Sequence, residues 1–301
     1  MTRKLYNVKI GAQAINWVND DLHDVGDFIT FEQTIDEMHL AGYEGTELGR
    51  KYPRDPEVLK NELKKRDLVL TSGWGDVLFI DEKYAGEYIE KFKKHALFLK
   101  EMGCKYVVCC EVGNSTCWDP REDRRKLGVK KLNENQWKML ADGLNMLGAF
   151  CKENDMKLVY HVHNGTVIET AEETRKLCNM TDSDKLFILA DTGHLYMCGV
   201  DVVKFFEDFA DRIKYIHFKD IRQDVLNVVR EHNLDFNSGV RVGLFTVPGD
   251  GCIDFVPIID LLEKNGYQGW LVVEAEQNAL YFNPLTYAKI AREYLRNITG
   301  I

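Results

Sequence analysis

The sequence lacks three features that would each indicate a particular class of protein. No stretch approaches the roughly 18 consecutive apolar residues that a membrane-spanning helix needs, and residues 1–10 contain no apolar run of the signal-peptide type. Basic residues are in deficit, with 39 Lys and Arg against 48 Asp and Glu and a formal net charge of −9, which disfavours binding to nucleic-acid phosphates. We therefore predict a soluble cytoplasmic protein with no nucleic-acid or membrane partner; a homo-oligomer is left open.

Paired cysteines and a glycine-rich loop are also missing. The eight cysteines include no Cys-x-x-Cys pair, so the spacing gives no support to a zinc ribbon. Because Cys109 and Cys110 lie inside an apolar run, we expect buried, reduced thiols that pack as small apolar side chains. The segment 10–17, which follows the first apolar run, has one glycine, and this argues against the phosphate loop of an open, doubly wound sheet.

Short apolar runs alternate with amphipathic segments along the whole chain. Val202, Phe205 and Phe206 follow helical spacing, and a Gly-Tyr-x-Gly turn occurs at both 42–45 and 266–269 before a run that ends in Glu. Eight such units without a linker predict an α/β protein, a single (β/α)8 TIM barrel whose catalytic domain covers residues 1–301. The eight strand-like runs lie near 8–16, 43–48, 68–74, 105–111, 157–163, 186–192, 213–219 and 270–276.

Four apolar runs in the second half of the chain end in residues that bind metals or transfer protons. In barrels of this kind the active site forms at the carboxyl ends of the strands. Two imidazoles and two carboxylates suit Mn²⁺, Co²⁺, Fe²⁺ or Zn²⁺ better than an ion that binds oxygen alone. The deeper residue of each ending gives the predicted metal ligands: His161, Asp191, His217 and Glu274.

Each of these residues also has a purely structural explanation. A single strand histidine is more often hydrogen-bonded in place than bound to a metal, Asp191 could cap the next helix, and Glu274 could pair with Lys219. Several buried ionisable groups at one mouth would however be costly without a cation. The combination therefore favours a metal site.

The outer residues of the same endings form a predicted acid-base group. Residues two apart on a strand point to the same side, so these residues should lie nearer the mouth than the ligands. We predict His163 as the base and His194 as the acid, which could be exchanged, with Lys219 supporting an enediolate. The predicted substrate contacts are Glu47, Trp74, Glu111 and Glu276, although Glu111 could equally be an ion-paired carboxylate. The remaining histidines are expected to be structural: His23, His39, His95 and His232.

Two connections between the predicted strands are long. They cover residues 113–135 and 221–252, and both leave carboxyl ends of strands, so we expect them to overhang the mouth as lids. The first contains Trp118 among several Arg and Lys residues, most of which should face solvent. The second contains the turn 247–252, which should brace the start of the following helix.

At these residues the chain resembles the xylose-isomerase-like barrel superfamily, which includes sugar epimerases and dehydroshikimate dehydratases. The resemblance runs over essentially the whole chain. It implies Glu, Asp, His and Glu as metal ligands, and Asp191, His217 and Glu274 match the last three. His161 stands where the first Glu is expected, which leaves His161 or His163 as the ligand there. The motifs that carry the resemblance are Tyr160-His-Val-His-Asn-Gly-Thr166, Asp191-Thr-Gly-His194, His217-Phe-Lys-Asp220, Phe245-Thr-Val-Pro-Gly-Asp-Gly251 and Trp270-Leu-Val-Val-Glu-Ala-Glu-Gln277.

Within the superfamily, the chain more closely resembles enzymes of bacterial inositol breakdown. It implies dehydration of 2-keto-myo-inositol to a trihydroxycyclohexanedione, with Mn²⁺ or Co²⁺ and with glutathione. In related epimerases the first Glu ligand also transfers a proton, so a histidine in its place argues against epimerisation. A metal-dependent sugar isomerase or epimerase on the same barrel is the alternative, and a non-catalytic ligand-binding barrel is a weaker one.

Overall fold

The computed structural model describes residues 5–301. The segment 1–10, in which the sequence shows no signal-peptide pattern, therefore lies partly outside the described residues. The strands are β1 Val8–Ala12, β2 Gly45–Glu47, β3 Val69–Ser72, β4 Trp74–Val77, β5 Tyr106–Glu111, β6 Lys157–His161, β7 Leu186–Asp191, β8 Ile213–Phe218, β9 Asp220–Ile221, β10 Phe245–Thr246 and β11 Gly269–Val273. The helices are α1 Phe31–Ala41, α2 Pro56–Lys64, α3 Glu82–Glu101, α4 Glu134–Glu153, α5 Ala171–Met180, α6 Thr192–Met197, α7 Val202–Asp208, α8 Gln223–Glu231, α9 Phe236–Arg241, α10 Val256–Lys264 and α11 Pro284–Thr299.

The main sheet is parallel and closes into a barrel. Its nine strands follow the order β3-β2-β1-β11-β8-β7-β6-β5-β4, and each neighbouring pair is parallel. The two strands at the ends of this order, β3 and β4, are consecutive in the chain and separated only by Gly73. They therefore act as one interrupted third strand that joins both edges of the sheet. The predicted (β/α)8 barrel is confirmed.

The predicted runs match the barrel strands, but several extend too far at their carboxyl ends. The run predicted at 157–163 ends as a strand at His161, and the run at 213–219 ends at Phe218. The outer residues His163 and Lys219 therefore lie just beyond the strands. At the opposite end of the barrel, the Gly-Tyr turns are confirmed as helix ends. Gly42, which follows α1, has a φ of +86°, and residues with a Cβ atom rarely adopt this value.

An apolar layer fills the barrel directly below the predicted metal ligands. It consists of one buried residue from each of five strands: Val108, Val159, Leu189, Tyr215 and Val272. Four of them stand two residues before a predicted ligand, and alternation along a strand turns both residues to the barrel interior. The predicted ligands thus lie one layer above a buried apolar layer of the barrel interior.

The two long connections differ from each other. Residues 113–132 form neither helix nor strand, as expected of a loop. The expectation of a second loop at 221–252 was wrong, because this segment contains α8 and α9, and β10 pairs with β9 in a small antiparallel sheet. An apolar cluster around Leu226, Phe236 and Phe245 packs it together and accounts for the regular structure.

Two expectations from composition can be compared with the structure. Cys104, Cys109, Cys110 and Cys151 are buried as predicted, but Cys252 is exposed and the other three cysteines are partly buried. Within residues 5–301, no helix combines the length and the apolar character that a membrane span requires.

Candidate metal and acid-base site

The structure brings the four predicted metal ligands together at the mouth of the barrel. All four side chains are buried. Asp191 Oδ2 lies 3.6 Å from His161 Nε2 and 3.7 Å from His217 Nδ1. Glu274 Oε2 lies 2.6 Å from the same His217 nitrogen. Four strands that are neighbours in the barrel therefore direct their terminal side chains at one point.

Asp191 and Glu274 also make the structural contacts considered above, but these contacts leave polar atoms of the cluster without a partner. Asp191 Oδ1 accepts the His194 backbone N–H at 2.9 Å and caps α6. Its Oδ2 and both ring nitrogens of His161 are buried without a hydrogen bond, whereas Nδ1 of His217 has the Glu274 carboxylate at 2.6 Å. Such atoms cost free energy unless something pairs with them.

These orphaned atoms fit a divalent cation. Ligand atoms of His161, Asp191 and His217 all lie within 4.8 Å of one another, and nitrogen with carboxylate oxygen is a donor set that transition metals favour. Two further groups meet the same distance condition within residues 5–301: His163 with His194 and Glu276, and Asp191 with His194 and Glu274. The site therefore offers a deep and an outer set of ligands.

Glu47 orients the imidazole of His217. His217 Nε2 lies 2.9 Å from Glu47 Oε1, and both side chains are buried. With Nε2–H donated to this carboxylate, Nδ1 is the nitrogen that could bind a cation beside Asp191 and Glu274 once it gives up its own proton. The carboxylates of Glu274 and Glu47 outweigh the effect of burial and raise the pKa of His217 well above its usual value. Glu47 lines the cavity as a predicted substrate contact would, but its hydrogen bond is to His217.

We expect Glu47→Ala to lower metal affinity by about 10- to 100-fold, the usual effect of losing a partner that orients a metal-binding histidine. Chelator competition followed by elemental analysis measures this affinity. Glu44→Ala, in the exposed turn before β2, is the control. An unchanged affinity would contradict the orienting role, and a complete loss of binding would make Glu47 a ligand itself.

Lys219 connects the deep and outer residues. Its side chain is fully buried, with Nζ 2.6 Å from Glu274 Oε1 and 2.8 Å from both Glu276 Oε1 and His194 Nε2. Although burial opposes the charge, the surrounding carboxylates raise the pKa of Lys219. Burial raises the pKa of Glu276 to about 7, with Lys219 opposing the shift. The lysine is thus a fixed positive charge between the two layers.

The rings of the two outer histidines lie in close, tilted contact. The ring centroids of His163 and His194 are 3.5 Å apart, and burial lowers the pKa of both rings well below the usual value, so both are neutral near pH 7. His163 Nδ1 lies 2.6 Å from the Asn164 carbonyl oxygen. A donated proton at Nδ1 leaves Nε2 of His163 as a free acceptor.

A cavity of about 590 Å³ opens above this cluster. The predicted substrate contacts Trp74 and Glu276 line it, together with His163, while His194 and Lys219 lie beneath its surface. Its complete lining is Gln13, Ile15, Asp20, Asp21, Glu47, Leu48, Arg50, Arg54, Trp74, Asp76, Lys94, His95, Phe98, Trp118, His161, His163, His217, Glu274 and Glu276.

Several of these lining residues were missed in the sequence. His95 was expected to be purely structural, yet it faces the cavity. Asp76 could have been found, because it stands two residues after Trp74 on β4 and alternation turns both to the same side. Asp21 and Arg50 lie in loops far from the motifs, and the sequence carries no signal for them.

The first long connection covers the cavity, as predicted. The Trp118 ring lies 4.7 Å from the His163 ring, and its indole Nε1–H donates to Asp21 Oδ1 at 2.8 Å. Arg125, Lys126 and Lys130 of this loop are exposed, as predicted, whereas Arg121 is partly buried and pairs with the buried side chain of Asp119. The loop therefore contributes an aromatic wall to the cavity.

The position of Glu111 differs from the predicted substrate contact. Its carboxylate does not line the cavity; Oε2 accepts the Phe79 N–H at 2.7 Å and Oε1 accepts the Gly113 N–H at 2.9 Å. Because both oxygens are engaged with backbone and the residue is fully buried, the structure supports neither the predicted substrate contact nor the ion pair. Glu111 instead anchors the backbone on either side of β5.

Glu111 should make the protein less stable as the pH rises. Burial raises the pKa of Glu111 from 4.5 to about 8, so between these values the folded chain keeps a proton that the unfolded chain releases. Stability is then lost with rising pH, by on the order of a few kcal/mol over this range. We expect Glu111→Gln to flatten the decline in denaturant midpoint between pH 5 and pH 8. Glu101→Gln, at the exposed end of α3, should keep the wild-type slope; equal slopes in all three proteins would contradict the assignment.

The fold and the site define a class of protein: a (β/α)8 barrel with histidines and carboxylates clustered for metal binding at the carboxyl ends of its strands. Residues 35–298 match the family model of the xylose isomerase-like TIM barrel. The chain belongs to this family, and within it to the group of the inosose dehydratases, which it matches over nearly its full length.

Two relatives illustrate the match. Inosose dehydratase of Geobacillus kaustophilus is 45% identical over 98% of this chain and 96% of its own. Inosose dehydratase of Clostridium perfringens strain 13 is 47% identical over 98% of this chain and 99% of its own. The alignments therefore cover nearly the whole of this chain and of both relatives.

Solved structures with the same fold are more distant in sequence. The IOLI protein, solved with a zinc atom, superposes with a TM-score of 0.72 at 16% identity, over 97% of this chain and 98% of its own. A probable 3-DHS dehydratase from Bacillus anthracis gives 0.72 at 18% identity, over 96% and 99%. At such identities the likeness concerns the fold.

Proposed function

We propose that this chain is an inosose dehydratase of myo-inositol catabolism. It removes water from 2-keto-myo-inositol and yields a trihydroxycyclohexane-1,2-dione. The observation that carries the proposal is the 45% identity to an enzyme of this name over 98% of the chain. The site supports it, because a base and a buried ligand set for a cation lie at one cavity large enough for a six-membered ring.

A divalent metal is the proposed cofactor, with Mn²⁺ or Co²⁺ preferred and Zn²⁺ or Fe²⁺ also suited to the donor atoms. When bound, it would polarise the substrate carbonyl and stabilise the charge that develops on its oxygen. The residues that would hold it are His161, Asp191, His217 and Glu274. The relatives and the site give no support to the glutathione that the resemblance implies.

His163 is the proposed base. It lines the cavity, and the contact of its Nδ1 with the Asn164 carbonyl leaves Nε2 free to accept a proton. That proton comes from the carbon next to the ketone, where the carbonyl makes the C–H bond acidic. Nε2 of His163 is thus assigned the removal of the α-proton.

Glu276 replaces His194 as the proposed acid. His194 lies beneath the cavity surface, and its Nε2 is occupied by Lys219 Nζ at 2.8 Å. Glu276 lines the cavity and is held by the same lysine. Its carboxyl group would give a proton to the departing β-hydroxyl, so that water leaves and a carbon–carbon double bond forms. The product is an enol, whose rearrangement gives the dione.

An isomerase or epimerase of the same barrel family is the second function. Epimerisation needs proton transfer on both faces of a carbon, and relatives that do this place a Glu where this chain has His161. Buried imidazole nitrogens without a hydrogen bond at that position favour a ligand over a proton shuttle. The structure thus supports elimination more than epimerisation.

The proposal is tested by identifying the product. Purified, Mn²⁺-loaded protein is incubated with 2-keto-myo-inositol, and the conjugated dione is followed by ultraviolet absorbance and NMR. We expect dione and no epimer, whereas an epimeric ketose without dione would establish the second function. The cytoplasmic location and the single catalytic domain stay predictions, and the homo-oligomer stays an open alternative.

A further inference from the structure

Two aspartates of the cavity wall have no part in the chemistry described so far. Asp21 lies in the loop that follows β1, and Asp76 lies on β4; both line the cavity. Each accepts the indole N–H of a tryptophan in the same wall. Trp118 Nε1 is 2.8 Å from Asp21 Oδ1, and Trp74 Nε1 is 2.6 Å from Asp76 Oδ1. The wall therefore contains two matched Trp–Asp pairs.

Each pair leaves one carboxylate oxygen available. Both aspartate side chains are exposed to the cavity, and within residues 5–301 the Oδ2 atoms of Asp21 and Asp76 have no hydrogen-bond partner. The indole N–H fixes the orientation of each carboxylate, so its second oxygen needs little ordering on binding. These oxygens can accept hydrogen bonds but cannot donate them.

The tryptophan rings place this wall beside the reacting groups. The ring of Trp74 lies 5.5 Å from that of His161 and 5.3 Å from that of Trp118, which in turn lies 4.7 Å from that of His163. A ligand in contact with His163 would therefore lie beside both indoles. Aromatic faces with a few fixed polar groups are typical of pockets that orient a small molecule.

The charge of the wall disfavours an anionic ligand. Six carboxylates line the cavity (Asp20, Asp21, Glu47, Asp76, Glu274 and Glu276), against the three cations Arg50, Arg54 and Lys94. Arg50 is already paired with Asp27 at 2.8 Å. Desolvation raises the pKa of both Asp21 and Asp76, as expected of carboxylates that lack a strong cationic partner. Hydroxyl groups, which donate hydrogen bonds without adding charge, suit these oxygens best.

We propose that Asp21 and Asp76 form a hydroxyl-binding wall that selects an uncharged, hydroxyl-rich ring and excludes its phosphorylated counterparts. The inference rests on the proposed function, since a cyclitol ketone carries a hydroxyl on every carbon other than the carbonyl carbon. Hydroxyls remote from the reacting carbons donate to the two carboxylates while the C–H face of the ring lies on the indoles. A site built to bind a hydroxyl rejects ligands that lack it, because its polar groups are then left unpaired.

The test is equilibrium binding of myo-inositol, which has no ketone to eliminate, and of myo-inositol 1-phosphate. Both are titrated calorimetrically into Mn²⁺-loaded protein. Asp21→Asn and Asp76→Asn keep an oxygen for the indole but remove the charge and present an amide donor. We expect each to weaken myo-inositol binding about 10-fold or more. We also expect wild type to prefer myo-inositol over the phosphate by about 10-fold or more, and the double variant to lose most of this preference. Asp142→Asn, on the exposed face of α4, is the control.

Trp118→Phe tests whether Asp21 has a purely structural role, because it removes the hydrogen bond between the indole and Asp21. If Asp21 only fastens the loop, Asp21→Asn, which keeps an oxygen for the indole, binds myo-inositol like wild type while Trp118→Phe weakens binding, and this result would overturn the part of Asp21 in the wall. Wild-type affinity for myo-inositol and wild-type KM for inosose in both aspartate variants would overturn the proposal. If myo-inositol binding depends on Asp76 but inosose gives no dione, the wall stands and the dehydratase proposal fails.

Discussion

Glu274→Gln is expected to lose the bound metal, while Glu276→Gln, two residues further along the chain, should retain it. Both carboxylates are buried and both contact Lys219, so the two substitutions are matched in environment. Only Glu274 lies within 2.6 Å of His217 Nδ1. Removing its charge takes an anionic ligand from the deep set, and activity should fall by more than about 100-fold, beyond the effect of an outer-shell partner.

Metal content after gel filtration, measured by elemental analysis beside circular dichroism, checks this result. Asp191→Asn provides a second test, because asparagine still caps α6 as well as aspartate does and so keeps the fold. Both Glu274→Gln and Asp191→Asn should be folded and poor in metal. Wild-type metal content in either one would remove that residue from the ligand set.

His163→Ala should keep the metal but lower kcat by about 10²- to 10⁴-fold, the usual contribution of a positioned base. Its ring lines the cavity, and its Nε2 is the acceptor left free by the contact of Nδ1 with Asn164. Without this acceptor the α-proton of inosose should no longer exchange with deuterated solvent. NMR of the recovered substrate measures the exchange.

Glu276→Gln serves as the companion variant for this experiment. It removes the proposed acid and leaves the base, so α-proton exchange should continue while dione formation falls. Retained exchange in His163→Ala would place the base elsewhere. Loss of exchange in both variants would mean that the two residues act in the same step.

The motifs predicted the centre of the site because it lies on regular strands. The order of neighbouring strands and the alternation of side chains fix where His161, Asp191 and His217 point, and both are visible as apolar runs with polar endings. The same reasoning failed for Glu111, which also ends a strand. Its orientation depends on backbone amides of Phe79 and Gly113, and no spacing rule reports such contacts.

The cavity wall was largely hidden in the sequence because loops build it. Asp21 and Trp118 meet across 97 residues of chain, and neither belongs to a repeating pattern. Hydrogen-bond details were also inaccessible: the pairing of Glu47 with His217 spans 170 residues. Regular elements are thus predictable from periodicity, whereas contacts between loops depend on how the closed barrel brings them together.

His161 remains the residue on which the account depends most. Relatives with a glutamate there can use it to move a proton, whereas an imidazole with two orphaned nitrogens beside Asp191 is arranged as a ligand. The outer group of His163, His194 and Glu276 satisfies the same distance condition. The division into a metal layer and an acid-base layer therefore needs a direct observation.

The most direct measurement is anomalous diffraction from crystals grown with Mn²⁺, recorded on both sides of the manganese absorption edge. The account predicts an anomalous peak in the deep set, in contact with His161, Asp191, His217 and Glu274. A peak among His163, His194 and Glu276 instead would contradict it, because the proposed base would then be a metal ligand.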